Sequence, residues 1–106
     1  MSEAKLMVLY PQPKDPVQFE QDYQAHLNLF HQRMNIPDDE RPYTVTKMVS
    51  TPQAPSAYYQ MFSFTFPTAE ALKQTLASDE MAEIAVDANR ISSGGAPVVL
   101  IGSDEK

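Results

Sequence analysis

The chain has 106 residues, of which 42% are hydrophobic, and its 14 acidic and 8 basic residues give a formal net charge of −6. This length fits one domain over residues 1–106, which can bury about two-thirds of its unfolded surface. A negative surface repels a phosphate backbone, so nucleic acid is not expected as a partner. Cysteine is absent, which excludes disulfides, thiolate nucleophiles and the common cysteine metal sites. Neither a membrane-spanning run nor a signal peptide is recognisable, so a cytoplasmic protein is expected.

The first predicted elements are a short strand and a long helix. Residues 5–10 are apolar on both faces, which is typical of a strand that is covered on two sides. A helix is predicted over residues 15–34, with Asp15 as its capping residue and Pro16 at its first position. One side of this helix is apolar and the other carries amides, so a sheet must cover the apolar side. The apolar stripe consists of Phe19, Tyr23, Leu27, Phe30 and Met34, with His26 at its margin.

The remaining elements follow after a proline-bounded loop. Residues 43–51 are predicted to form a second strand, whose mixture of polar and apolar residues is typical of a sheet edge. Residues 58–66 predict a third strand that is apolar on both faces. Thr68 caps a short helix, and Ser78 caps its continuation. A Ser-Gly-Pro-rich stretch ends the helical region, and residues 98–101 predict the last strand.

The order β-α-β-β-α-β predicts an α+β, ferredoxin-like domain with a four-stranded antiparallel sheet. The first and third strands are central in that topology, and they are the two strands with apolar residues on both faces. Helices cover only one face of such a sheet. A second copy of the chain can cover the other face by symmetry, so a homodimer is predicted.

Several motifs follow one another along nearly the whole chain. They are Val8-Leu9-Tyr10-Pro11 with Pro13 and Asp15-Pro16; Phe19, Tyr23, His26 and Leu29; Tyr58-Tyr59; Phe66 followed by Thr68-Ala69-Glu70-Ala71-Leu72; Leu76-Ala77-Ser78; and Gly94-Gly95. This ordered set resembles the EthD family, named for ethyl tert-butyl ether degradation, within the dimeric α+β barrel proteins. The resemblance implies a homodimer whose two sheets face each other, with a pocket in each subunit between sheet and helices.

The resemblance also implies a type of chemistry. Some related barrels act without cofactors as monooxygenases, cyclases or decarboxylases on phenolic and polyketide-like substrates, while the EthD group lacks an agreed activity. Many relatives have a second histidine and a proline-leucine pair just after the position of His26. This chain departs from that pattern, with Leu27-Asn28-Leu29.

His26 is the main candidate for catalysis. A neutral imidazole that faces a partly dehydrated pocket can take a proton from a phenol or an acidic C–H, because its unperturbed pKa is about 6.5. The resulting anion can react with O₂, cyclise or lose CO₂ without a bound cofactor. Tyr23, about one turn earlier, could donate a hydrogen bond to the same ligand oxygen. The alternative is that both are core residues, with His26 hydrogen-bonded inside the fold and the Tyr23 hydroxyl at the surface.

Four further residues are candidates for ligand binding. Tyr10, Tyr59 and Met61 are potential pocket walls, and Asn89 could border the pocket mouth. The sequence leaves open which face of the third strand meets the helices, the one with Tyr59 or the one with Phe62.

No metal or cofactor site is expected from the motifs. His31 follows His26 by five residues, which places it about 140° further round the helix, so the two cannot share a metal ion. His31 is therefore expected at the surface. The sequence contains no HExxH, P-loop or dinucleotide fingerprint.

Three functions are compatible with the sequence. The first is a cofactor-independent enzyme of degradation or secondary metabolism that acts on a hydrophobic or aromatic substrate, with His26 as base and Tyr23 orienting the substrate. The second is a non-catalytic accessory protein that binds a hydrophobic metabolite for a partner oxygenase. The third is a structural dimer with a filled core. The first two predict a cavity beside His26, and the third predicts dense packing there. An RNA-recognition motif shares the topology, but its basic-glycine signature is missing and the chain is acidic.

Overall fold

A computed structural model describes residues 3–104, which form one four-stranded antiparallel sheet and three helices. The elements are β1 (Ala4–Pro11), α1 (Pro16–Met34), β2 (Tyr43–Lys47), β3 (Tyr58–Phe66), α2 (Ala69–Leu76), α3 (Asp79–Ile91) and β4 (Val98–Gly102). The order across the sheet is β2-β3-β1-β4, so β1 and β3 are central, as predicted. The predicted ferredoxin-like α+β fold is thereby confirmed. Within residues 3–104, no helix is long and apolar enough to cross a membrane.

Each helix begins at a predicted capping side chain. Asp15, Thr68 and Ser78 each accept a hydrogen bond from the backbone N–H three residues later. These bonds satisfy donors that would otherwise lack partners in the first turn. Ser78 begins a separate helix, because α2 already ends at Leu76. α1 ends at Asn35, whose left-handed backbone (φ 57°) lets its N–H bond to a carbonyl of the last turn.

The second strand is shorter than predicted. β2 ends at Lys47 rather than at residue 51. Beyond it, the Met48 N–H still donates to the Tyr59 carbonyl, at 3.0 Å. Thr51 and Ala54 then form backbone hydrogen bonds with each other. This local turn takes the chain away from β3 before the ladder can extend.

The face of β3 with Phe62, Phe64 and Phe66 meets the helices. Phe62 lies opposite Val8 of β1, and its ring centroid lies 5.3 Å from that of Phe30 in α1. This observation settles the orientation that the sequence left open.

Tyr59 is an exception to the alternation along β3. The register shifts at the end of β1, where Tyr10 pairs with Gln60 but Pro11 pairs with Tyr58. Tyr59 is thus the extra residue of a bulge, a distortion that redirects a side chain. Its ring lies 5.5 Å from that of Phe19 at the start of α1.

The other face of the sheet has no helix against it within residues 3–104. Its side chains include Met7, Leu9 and Met61, all partly exposed. Helices cover β4 less completely than β1. Val99 and Ile101 keep 54% and 57% of their surfaces exposed, although they pair with residues of β1 that face the helices.

The expectation that His31 lies at the surface is wrong. Its residue exposure is 5%, because the chain reverses at Asn35 and returns over the ring. His31 Nδ1 lies 3.3 Å and 3.1 Å from the carbonyl oxygens of Ile36 and Pro37. Carbonyls only accept, so Nδ1 carries the proton, and the Tyr43 hydroxyl donates to Nε2 at 2.5 Å.

Candidate functional site

An imidazole–carboxylate pair joins α1 to α3. His26 Nδ1 donates to Asp87 Oδ2 at 2.8 Å, and their side chains are 6% and 19% exposed. The other carboxylate oxygen of Asp87 accepts from Arg90 Nε at 2.9 Å. Because the carboxylate holds the proton on Nδ1, Nε2 carries the free lone pair. No side chain or backbone group in residues 3–104 makes a hydrogen bond to that Nε2.

Burial keeps this pair in the charge state that a general base needs. Burial lowers the pKa of His26, and this effect exceeds the opposing influence of Asp87. The imidazole is therefore neutral at pH 7. Burial acts to raise the pKa of Asp87, but the hydrogen bonds from His26 and Arg90 outweigh it, and the pKa of Asp87 is lowered. A charged carboxylate thus orients a neutral imidazole, which is an arrangement suited to proton abstraction.

A cavity of about 130 Å³ adjoins His26, between the sheet and helices α1 and α3. Its walls are mostly apolar and include Leu6, Val8, Phe30, Phe62, Ile84 and Ala88. Polar groups come only from Tyr10, His26 and Asn89 among the described residues that line it. An apolar cavity of about 150 Å³ can hold a benzene ring, so this space is close to the size of a small ring.

Tyr10 presents a phenol to this cavity. Its ring is 2% exposed, and it packs edge-on against the rings of Phe19 and Tyr23 at 5.4 Å and 5.6 Å. Burial raises the pKa of Tyr10, and the negative charge of Asp87 adds to this. The hydroxyl therefore keeps its proton. No side chain within residues 3–104 makes a hydrogen bond to this hydroxyl, so it is available to donate to a ligand.

The cavity brings together three of the six predicted site residues. Tyr10, His26 and Asn89 line it. Tyr23 does not, although its ring centroid lies 5.7 Å from that of His26. Met61 is also outside the lining, because it lies on the opposite face of the sheet.

The Tyr23 hydroxyl is buried beside the Gln60 amide rather than in the cavity. Burial raises its pKa, and the Gln60 side chain opposes this. Neither the hydroxyl nor Gln60 Nε2 has a hydrogen bond of good geometry within the described chain. The sequence prediction of a surface hydroxyl for a core Tyr23 is therefore wrong.

Tyr59 belongs to a polar cluster at the start of α1, also outside the cavity lining. Its hydroxyl donates to the Glu20 carboxylate, which also accepts from Lys47. Burial acts to raise the pKa of Glu20, but these two hydrogen bonds lower it overall. Lys47 also donates to the Gln60 side chain. The charges of Lys47 and Glu20 therefore neutralise each other in an ion pair.

Asp87 and Arg90 were missed by the sequence analysis. Asp87 follows the buried Ile84 by three positions and precedes the buried Ala88, so helical spacing puts it beside the apolar face. That signal indicates a partly buried acid, but it does not name the partner. Residues 3–104 contain no cluster of three or more potential metal ligands among His, Cys, Asp and Glu.

The sheet with helices on one face defines a ferredoxin-like α+β protein. No protein-family model matches the chain, and no curated protein does. Solved structures do match. An EthD family protein from Bacillus halodurans has 28% sequence identity and a TM-score of 0.78, with 97% of this chain and 99% of the other covered. An EthD-like protein from Ralstonia eutropha has 24% identity and a TM-score of 0.66, with 96% and 91% covered. The chain is therefore similar to EthD family proteins over nearly its whole length, which confirms the resemblance seen in its sequence.

A third structure shares the fold alone. It is a dimeric ferredoxin-like protein from Jannaschia, with 11% identity and a TM-score of 0.68, and 94% and 97% of the two chains are covered.

Proposed function

We propose that this protein is a small-molecule enzyme that uses His26 to remove a proton from a hydrophobic substrate, without a bound cofactor. One observation carries the proposal: His26 lines an apolar cavity while Asp87 holds its Nδ1, which leaves Nε2 free to accept a proton. The expected cytoplasmic location and a single domain over residues 1–106 belong to the same proposal.

The proposed step uses three side chains. The substrate O–H or C–H gives its proton to His26 Nε2, and the electron pair of the broken bond stays on the substrate. Asp87 stabilises the imidazolium that forms. Tyr10 donates a hydrogen bond to the substrate oxygen on which negative charge develops. Tyr10 thereby takes the orienting role that the sequence analysis gave to Tyr23, while Tyr23 supports the Tyr10 ring. The anion can then react with O₂ or close a ring, depending on the substrate.

Nitroethane in D₂O tests the base directly, because it is a small neutral carbon acid that loses its C–H signal as deuterium replaces hydrogen. The protein should accelerate this exchange, and His26→Gln should reduce the acceleration by about 100-fold or more, as expected for loss of a general base. The readout is proton NMR.

Asn28→Ala is the matched control, since Asn28 is exposed on the same helix and does not line the cavity. Equal exchange rates for His26→Gln and Asn28→Ala would refute the assignment of the base. A molecule that binds without any exchange would instead favour the accessory-protein alternative.

We also infer that the protein is a homodimer whose uncovered sheet faces meet. Met7, Leu9 and Met61 place apolar groups on a face that no described helix covers, and Leu100 on the same face is 46% exposed. A contiguous apolar face of this kind marks a contact surface. The dimeric state of the Jannaschia protein, which shares the fold, supports the inference.

A further inference from the structure

We propose that the cavity beside His26 selects a neutral molecule with a single ring and one hydrogen-bonding oxygen, and excludes carboxylates. This inference rests on the proposed function, because it concerns the same cavity, but it specifies the substrate class. It follows from the volume of the cavity, from the polarity of its walls and from the charge behind His26.

The volume limits the size of the ligand. A space of about 130 Å³ is slightly smaller than the cavity of about 150 Å³ that accepts benzene. The buried rings of Phe62 and Phe30 form part of the wall and pack against each other at 5.3 Å. A second fused ring exceeds this volume. It would have to displace these wall rings, which close-packed cores resist, or remain outside the cavity without apolar contacts.

The walls offer little to solvate a charge. Among the described residues, neither Lys nor Arg lines the cavity. Among the described lining residues, only Tyr10, His26 and Asn89 have polar side chains, and His26 is neutral at pH 7 because burial lowers its pKa. Transfer of an unpaired carboxylate into such surroundings is costly.

The charge behind His26 acts in the same direction. The carboxylate of Asp87 lies 2.8 Å from His26 Nδ1, and its negative charge also reaches Tyr10, whose pKa it helps to raise. Arg90 offsets this charge from the far side of Asp87, through Oδ1, and does not line the cavity. The potential inside the cavity is therefore negative and disfavours an anion. The net charge of −6 on the whole chain also repels an anion as it approaches.

A neutral hydroxyl fits the polar groups. A phenol O–H can donate to His26 Nε2, and its oxygen can accept from the Tyr10 hydroxyl. The ring then occupies the apolar space. Both free polar atoms are satisfied and no charge is buried before the proton moves.

Phenol, benzoate and 1-naphthol are the probes. Binding is followed by NMR through the methyl signals of Ile84, which lines the cavity, with the exposed Val49 as an internal control. The apparent affinity for phenol, obtained from the titration of the Ile84 signals, should be at least about tenfold higher than the affinity for benzoate or 1-naphthol.

A charge variant tests the reason for the selectivity. Asn89→Lys places a cation at an exposed position of the cavity lining, so benzoate affinity should rise by about tenfold while phenol affinity changes little. Gln32→Lys adds the same charge at an exposed position of α1 outside the lining and should leave both affinities unchanged.

The outcomes separate this inference from the proposed function. Equal binding of phenol and benzoate, or tighter binding of 1-naphthol, overturns the selectivity even if nitroethane exchange depends on His26. Absence of any Ile84 shift with phenol overturns it as well. Discrimination between phenol and benzoate without nitroethane exchange overturns the base and leaves the selectivity in place.

Discussion

His26 is held by a carboxylate that lies 61 residues further along the chain. Helical periodicity placed His26 beside the apolar stripe, because that spacing is a local property of α1. It could not identify Asp87 as the partner, since that pairing depends on how α1 packs against α3. The same limit explains His31, whose burial arises from a chain reversal at Asn35 and from contacts with Tyr43 on another element.

The pH dependence of nitroethane exchange should report the state of His26. The base is lost when the imidazole gains a proton, so the rate falls on the acid side of its pKa. Burial lowers that pKa from its ordinary value of 6.5, which places the fall below pH 6.5. Asp87→Asn removes the negative charge that acts to raise the pKa, and it replaces the charge-assisted hydrogen bond with a weaker one to a neutral amide. The fall should then move to still lower pH, and the maximal rate should decrease because the tautomer is no longer fixed.

NMR titration of the His26 ring protons measures the same pKa without turnover. A higher pKa in Asp87→Asn than in the unmodified protein would contradict this account of the pair.

At the level of elements, the sequence predicted nearly every helix and strand, because caps and periodicity are local signals. The three helices begin where Asp15, Thr68 and Ser78 predict. The deviations lie where local and non-local preferences compete. β2 stops at Lys47 because a local turn follows, and Tyr59 leaves its predicted face because the register with β1 shifts. A register shift is a property of two strands, so neither strand shows it alone.

The segment between α3 and β4 should be sensitive at Gly94. A methyl group there would lie 1.9 Å from the backbone oxygen of Gln12, in the loop between β1 and α1. Backbone on both sides would have to move, so Gly94→Ala should lower the free energy of unfolding by more than about 1 kcal/mol. Urea denaturation measures this change.

Gly102→Ala provides the comparison. Its added methyl group would lie 3.4 Å from the Cε of Met7, at the end of a flexible side chain. It should therefore change stability much less. A Gly94→Ala protein as stable as Gly102→Ala would show that the close approach of the two loops does not exist in solution.

At the level of the whole molecule, the arrangement of the sheet explains the predicted dimer. The sequence predicted apolar residues on both faces of the central strands, and within residues 3–104 helices lie on only one of those faces. What the residue patterns could not supply is the cavity, which only the family resemblance implied. Its space arises from side chains on β1, β3, β4, α1, α2 and α3 together, and no periodicity encodes a gap between six elements.

Sedimentation should give twice the chain mass of 11.9 kDa for the unmodified protein. Met61→Lys introduces a charge into the proposed interface, and burying it without a partner is unfavourable, so this variant should sediment as a monomer. Val17→Lys adds the same charge on the outside of α1, where Val17 is 70% exposed, and should remain dimeric. A dimeric Met61→Lys protein, or a monomeric unmodified protein, would contradict the assigned interface.

The solvent exposure of β4 beside the cavity has a consequence for the rate of ligand binding. Val99 and Asn89 both line the cavity and are both exposed to solvent, so the cavity has a gap beside β4. A molecule can therefore diffuse into the cavity through this gap without waiting for a lid to open. Selectivity then depends on the residues that line the cavity. Every solute narrow enough for the gap can enter, and contacts with these residues set how slowly it dissociates.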